Sequence, residues 1–205
     1  MPLSHLEFLV EEVSMETFLN AWLHRTLPES CTFEVSAYRG KPALLRKLEA
    51  RLKGYATWLP ADWRIVVIVD RDDDECHELK SRLERLCADA GLRSRRAADG
   101  ADWQVVTRIA IEELEAWYFG DWRAVRRAYP RVSPGIPRRA RYRDPDAIRG
   151  GTWEAFERVM NEGGYFEEGL AKVEVAAAIG EHIDPASNRS HSFAVFRDAI
   201  AEASA

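Results

Sequence analysis

The stretch RIVVIVDRDDDE, residues 64–75, constrains this chain more than any other. Ile65 to Val69 is β-branched at every position and gives way to five carboxylates in six positions. A strand with one wet face alternates apolar and polar residues, whereas a strand apolar on both faces belongs inside a sheet with helices on either side. The predicted class is therefore α/β. The flanks agree, because short apolar runs alternate with amphipathic stretches, the pattern of repeated strand and helix units that builds a mainly parallel sheet.

Residues 6–10 read as the first strand, and Ser14 stands where it could cap a helix whose apolar face is Phe18, Leu19, Trp22 and Leu23. Residues 32–38 read as the second strand, with Phe33, Val35 and Ala37 inward. A helix over 41–53 follows, packing through Leu44, Leu45, Leu48 and Leu52. The third strand, 65–69, leads to a helix over 75–90 with Leu79, Leu83 and Leu86 on its inner face. The fourth, 105–111, leads to a helix expected to begin at Glu112. Beyond Tyr129 the Pro- and Gly-rich VSPGIPRRARYRDPDAIRGG has neither period and predicts a long surface loop. Residues 152–161, 168–182 and 192–202 then read as helices. This divides the chain into an α/β unit over 1–130 and, over 131–205, an Arg-rich loop with a C-terminal helical extension packed on that unit.

At 205 residues and 46% hydrophobic content the chain can bury a full core. Its three cysteines are odd in number and widely spaced, with no CxxC pair, which argues against a disulfide framework or a zinc site. The start, MPLSHLEFLVEE, lacks the basic and apolar regions of a signal peptide, and no run approaches bilayer length, so a cytoplasmic protein without a membrane anchor is expected. The formal net charge of -5 hides a segregation: residues 123–149 hold nine Arg, no Lys and two Asp, a local balance of +7.

In an open parallel sheet, functional groups gather at the carboxyl ends of the strands. Glu11, Asp70, Asp72, Glu113 and Glu115 could all reach that crevice, although Glu113 and Glu115 cannot share one face of a helix. Two like charges ~4 Å apart repel by ~1 kcal/mol even in water, and a divalent cation reverses that sign. A D-x-D hinge with a Glu from a neighbouring strand suits Mg²⁺, or Mn²⁺, with the open positions left for phosphate and water. Asp73, Asp74 and Glu75 are expected instead to cap the next helix and match its dipole, as Glu12 and Glu16 do for theirs, while Glu112 is expected to face solvent.

An apolar strand ending in Glu, followed later by an apolar strand ending in D-x-D, resembles the Toprim domain. Here the pattern stands as FLVEE with Glu11 and VVIVDRD with Asp70 and Asp72. VEEVSME, VDRDDDE and IAIEELEAW, with K-x-E-x-A at Lys172 and NRSHSF at residues 188–193, more narrowly resemble the bacterial domain-of-unknown-function family DUF4276. These are small Toprim-like proteins often encoded beside an ABC-type ATPase. One departure stands out: Glu12 occupies the place where Toprim-like members commonly have Gly.

The resemblance implies a Toprim-like four-stranded sheet and Mg²⁺-dependent phosphoryl chemistry on nucleic acid, as in topoisomerases, primases and the overcoming-lysogenisation-defect nucleases. It makes Glu11 a general acid/base or metal ligand, Asp70 and Asp72 metal ligands, Glu113 and Glu115 ligands or supports of ligands, and Lys172 a positive charge for the transition state. A Toprim topoisomerase needs a Tyr nucleophile delivered by a separate domain, which a chain this short does not convincingly show, so hydrolysis by metal-activated water is the expected reaction.

Phosphate needs positive charge, and RRARYR is the richest source: Arg138, Arg139, Arg141 and Arg143 for phosphates, with Tyr142 for base stacking. The same arginines could instead pair with surplus acids. His182 and His191, with no nearby nucleophile, read as structural. Two other classes compete with a nuclease. One is a non-catalytic subunit that binds an ATPase; the other is a haloacid-dehalogenase-like phosphatase, which fits poorly because its D-x-D usually ends the first strand. DNA, RNA or nucleotide as substrate, and the oligomeric state, stay open at this level.

Overall fold

The all-apolar run becomes an inner strand. In a computed structural model that describes residues 3–98 and 102–204, four strands form one sheet: β1 (His5–Val10), β2 (Thr32–Ala37), β3 (Trp63–Asp70) and β4 (Val105–Ala110). Their order is β2-β1-β3-β4 and every pairing is parallel. Phe8 lies opposite Val66, Val10 opposite Ile68, and Asp70 opposite Ala110. The register therefore puts Glu11, Asp70 and residues 111–115 at the carboxyl end of the sheet.

Among the described residues, eight α-helices complete the fold: α1 (Val13–Thr26), α2 (Lys41–Ala56), α3 (Cys76–Asp89), α4 (Glu115–Gly120), α5 (Trp122–Ala128), α6 (Thr152–Glu162), α7 (Lys172–Gly180) and α8 (His191–Ala203). None of the described helices is long and apolar enough to cross a membrane. One sheet face buries Leu9, Ile65, Val67 and Val69 against Leu44, Leu48 and Leu52 of α2 and Leu79 and Leu83 of α3. On the other, Phe8, Val66, Ile68 and Val106 pack with Phe18 and Trp22 of α1, Trp117 of α4, Ile179 of α7 and Phe193 and Phe196 of α8. Strand β3 is thus covered on both sides, as its β-branched residues require.

Three expectations need correction. Ser14 is buried inside α1, and Glu12 takes the N-cap position without a side-chain cap bond. The fourth crossover does not enter a helix at Glu112, because α4 begins only at Glu115. Residues 130–151 are not a detached loop: three short 3₁₀ turns run through them, and Val132, Ile136, Tyr142 and Ile148 are buried in the same core as Phe8 and Phe18. These apolar residues follow no helical or strand period, so pattern alone could not show that the segment packs. Residues on both sides of position 130 share this core.

Candidate active site

Glu11 follows β1 directly and is only 8% exposed. Its Oε2 accepts the backbone N–H of Asp70, at 3.3 Å, across the β1–β3 junction. Asp70 ends β3, and its Oδ1 is buried with no hydrogen-bond partner. From β4, residues 111–114 carry the chain to α4. There Glu113 Oε2 accepts Thr152 Oγ1 (3.0 Å) and Trp153 N–H (2.9 Å) at the start of α6, while Glu115, 3% exposed, opens α4.

The NRSHSF motif fixes this junction from behind. Ser192 Oγ accepts Ile111 N–H (3.4 Å) and Trp117 Nε1–H (3.0 Å), and Asn188 Nδ2 donates to Trp117 O (2.9 Å). Asn188 lies so close to Gly120 that a side chain there would collide with its amide oxygen. Ser190 caps α8 through Phe193 N–H. The motif therefore positions the strand end that bears Glu113 and Glu115, a role its residue types alone did not reveal.

The acids act on one another. Burial, and then the charges of Glu11, Glu115, Asp72 and Glu113, hold Asp70 well above the usual carboxylate range. Burial with the charge of Asp72 pushes Glu11 up to about 7, against Lys41 and the Asp70 and Lys41 backbone N–H groups. Burial also pushes Glu115 up to about 7, with Lys172 opposing and Glu113 and Glu12 adding to the rise. Burial works against the Lys172 ammonium, yet Glu115, Glu113, Glu12 and Asp70 together hold it above the ordinary lysine value. Its Nζ sits 4.8 Å over the Trp153 ring. Six of the expected residues, Glu11, Asp70, Asp72, Glu113, Glu115 and Lys172, thus form one electrostatic cluster.

Two participants were not expected. Lys41, at the start of α2, is bound to Asp72 and Asp74 (2.7 Å each) and donates to Arg71 O (3.0 Å). It is a cation from another crossover, which no local motif marks. The Tyr118 hydroxyl is buried without a partner and is held well above its usual value by burial and by the charges of Glu115 and Asp70.

The acidic run divides as its residue types suggest only in part. Asp72 adopts a left-handed backbone (φ 48) that Asp tolerates better than most residues, with its carboxylate on Lys41. Asp74 also faces Lys41 rather than the helix, whereas Glu75 is the N-cap of α3 and accepts Glu78 N–H at 2.8 Å. Glu112 is not a free surface residue, since it pairs with Arg71.

The donor set fits Mg²⁺ or Mn²⁺ chemically: hard carboxylate oxygens, one of them buried and unpartnered at Asp70. Among the described residues, no group of three or more His, Cys, Asp or Glu is gathered closely enough to hold an ion as placed. Glu11, Asp72 and Glu113 each turn to a hydrogen-bond donor or cation of their own.

The arginine segment stands differently. Arg138, Arg141 and Arg143 are exposed; Arg139 pairs with Glu162 at 2.9 Å, and Arg141 lies 4.7 Å over the Tyr142 ring. Tyr142 itself is 1% exposed and stacked on Phe119, with ring centroids 5.1 Å apart, so it is a core residue and not a platform for a base. Arg141, Arg143, Arg149 and Arg158 line a cavity of about 370 Å³ beside α6. No arginine is among the charges acting most strongly on Asp70, Glu11 or Glu115.

Fold and site together define an all-parallel α/β protein with a carboxylate and lysine cluster at the carboxyl ends of three adjacent strands. The family model described as Domain of unknown function (DUF4276) matches residues 10–201, and the chain belongs to that family. Searches of curated proteins and of solved structures found no match.

Proposed function

We propose that this protein is a Toprim-type, Mg²⁺-dependent nuclease that hydrolyses phosphodiester bonds of nucleic acid. The observation that carries the reading is the buried, unpartnered Oδ1 of Asp70 among Glu11, Asp72, Glu113 and Glu115, which together leave an excess of negative charge where the strands end. Structural carboxylates normally have their oxygens satisfied, and strongly shifted acids in company mark functional sites.

In this reading Glu11, Asp70, Asp72 and Glu115 would hold Mg²⁺ or Mn²⁺, which when bound supplies charge to phosphate oxygens and a water of lowered pKa. Glu11 is poised to exchange a proton near neutrality. Glu113, fixed by Thr152 and Trp153, keeps its neighbours oriented. Lys172 offers a positive charge beside the acids, and the exposed Arg138, Arg141 and Arg143, with the partly exposed Arg139, offer phosphate contacts away from them. An ABC-type ATPase partner and a part in phage defence rest on the family resemblance alone.

The test is nicking of plasmid DNA and cleavage of RNA by purified protein with Mg²⁺ or Mn²⁺. Activity in the wild type and its loss in Asp70→Asn and Glu11→Gln is the expected result; equal activity in Asp70→Asn overturns the assignment. One observation favours a second reading. Asp72 is held by Lys41, and Glu113 by Thr152 and the Trp153 N–H, as in a structural cluster, which suits a non-catalytic subunit that binds an ATPase. That subunit would show no metal-dependent rise in melting temperature and would co-purify with its partner.

A further inference from the structure

The cavity of about 370 Å³ beside α6 is lined by four arginines, Arg141, Arg143, Arg149 and Arg158, against a single acid, Asp144. That is a surplus of three positive charges on one concave wall, in a chain whose formal net charge is -5. All four arginines are exposed, so their guanidiniums are free to turn toward an anion that enters.

The acids at hand do not cancel this charge. Asp144 is used in a turn, where its Oδ1 accepts Asp146 N–H at 3.1 Å. Arg141 is 4.0 Å from Glu162, but Arg139 holds that carboxylate more closely, at 2.9 Å. Among the described residues, Arg143, Arg149 and Arg158 have no acid within ion-pair reach. Arg189 adds to the positive field by donating from Nη1 to the Arg143 carbonyl at 3.4 Å. Like charges gathered in a concavity repel one another, and the field they focus there draws in an anion.

Three of the arginines come from the segment before α6 and the fourth from α6 itself, so an anion between them meets guanidiniums from two sides. A phosphate monoester carries about 1.5–2 negative charges near neutral pH, short of the surplus. A diphosphate group carries more and presents oxygens on two phosphorus atoms. A nucleic-acid strand spreads its phosphates along an open groove, whereas a cavity of this volume takes a compact ligand.

We propose that this cavity binds the diphosphate group of a small ligand, its oxygens on Arg143, Arg149 and Arg158. Asp144 alone does not make a Mg²⁺ site, so the guanidiniums neutralise the diphosphate and no metal ion is needed. None of the strand-end carboxylates lines the cavity, so the site stands whether or not the protein is a nuclease.

The experiment is calorimetric titration of the full-length protein in EDTA, at matched ionic strength, with pyrophosphate, ADP, inorganic phosphate and a short single-stranded oligonucleotide. Pyrophosphate and ADP should bind saturably at one site, and phosphate more weakly. Arg149→Gln and Arg158→Gln should each weaken both by roughly 10-fold, the worth of a charge-assisted hydrogen bond. Arg126→Gln, the same charge change at an exposed position outside the cavity, should leave both affinities as they are. Tighter binding of ADP than of pyrophosphate assigns the group to a nucleotide and the reverse assigns it to free diphosphate; either supports the site. Unchanged affinities in the Arg149→Gln/Arg158→Gln double variant overturn the proposal. So does an absence of binding by both diphosphates, a requirement for Mg²⁺, phosphate binding as tight as that of pyrophosphate, or an oligonucleotide that binds more tightly than either diphosphate.

Discussion

Asp70 owes its state to three things at once: a buried strand end, four neighbouring carboxylates, and an oxygen without a donor. Removing its charge while keeping its shape should relieve the repulsion and the desolvation together. Asp70→Asn is therefore expected to raise the melting temperature of the metal-free protein by about 2–4 °C, the shift that ~1 kcal/mol produces in a chain of this size. It should also blunt any Mg²⁺-induced rise seen in the wild type. Differential scanning fluorimetry with EDTA and with Mg²⁺ reads both effects, and a lower melting temperature for the mutant in EDTA would contradict the account.

Glu84 shows the opposite balance. Burial raises it, but Ser94, Thr107 and Lys80 outweigh burial and hold it below the usual glutamate value. A depressed acid contributes stability above its unfolded pKa of about 4.3 and loses that contribution as the pH falls through its folded value. Glu84→Gln should thus destabilise at pH 7, and urea melts should show the deficit shrinking as the pH is lowered below ~4. A deficit independent of pH would point to lost packing instead.

At the scale of elements, what was legible follows from range. The β-branched run named β3 as an inner strand because burial on both faces leaves a local signature, and the acids at strand ends were legible because parallel topology gathers those ends. Lys41 was not legible, since its pairing with Asp72 and Asp74 joins two different crossovers. The arginine segment misled for a related reason. Its polar, Pro-rich texture resembles a loop, while its sparse apolar residues, Ile136, Tyr142 and Ile148, are buried by partners far along the chain. Asp146 ties this segment to α8 by accepting Ser190 Oγ–H (2.8 Å), Ser192 N–H (3.0 Å) and Ser192 Oγ–H (3.1 Å). Asp146→Ala should cost about 1–3 kcal/mol, the loss of charge-assisted bonds at a helix N-terminus. It should also speed trypsin cleavage at Arg138 to Arg143. An unchanged cleavage rate would mean that the segment is held by its apolar residues alone.

Over the whole molecule, the decisive feature is how much of the sheet's covering layer arrives after position 130. Helix α1 packs on α7 so closely that a side chain at Gly180 would press on Ala21 Cβ and Phe18 O, each 3.0 Å from where it would begin. Trp22 meets Phe193 and Phe196 of α8, and Phe119 meets Tyr142 and Phe156. Residues 1–130 made alone would uncover Phe18, Trp22, Trp117, Tyr118 and Phe119. Each large apolar side chain left exposed forfeits about 1.5–3 kcal/mol. Five of them together match the whole margin of about 5–15 kcal/mol by which a domain is stable. The fragment is therefore expected to lack a cooperative melting transition and to bind a hydrophobic dye, whereas the full chain melts as one unit. The strand-end acids depend on the same layer, because Thr152 and Lys172 reach them from beyond position 130 and Ser192 holds Ile111 and Trp117 beside them. A fragment that melts cooperatively, with native-like circular dichroism, would show that the sheet and its site are built without that layer.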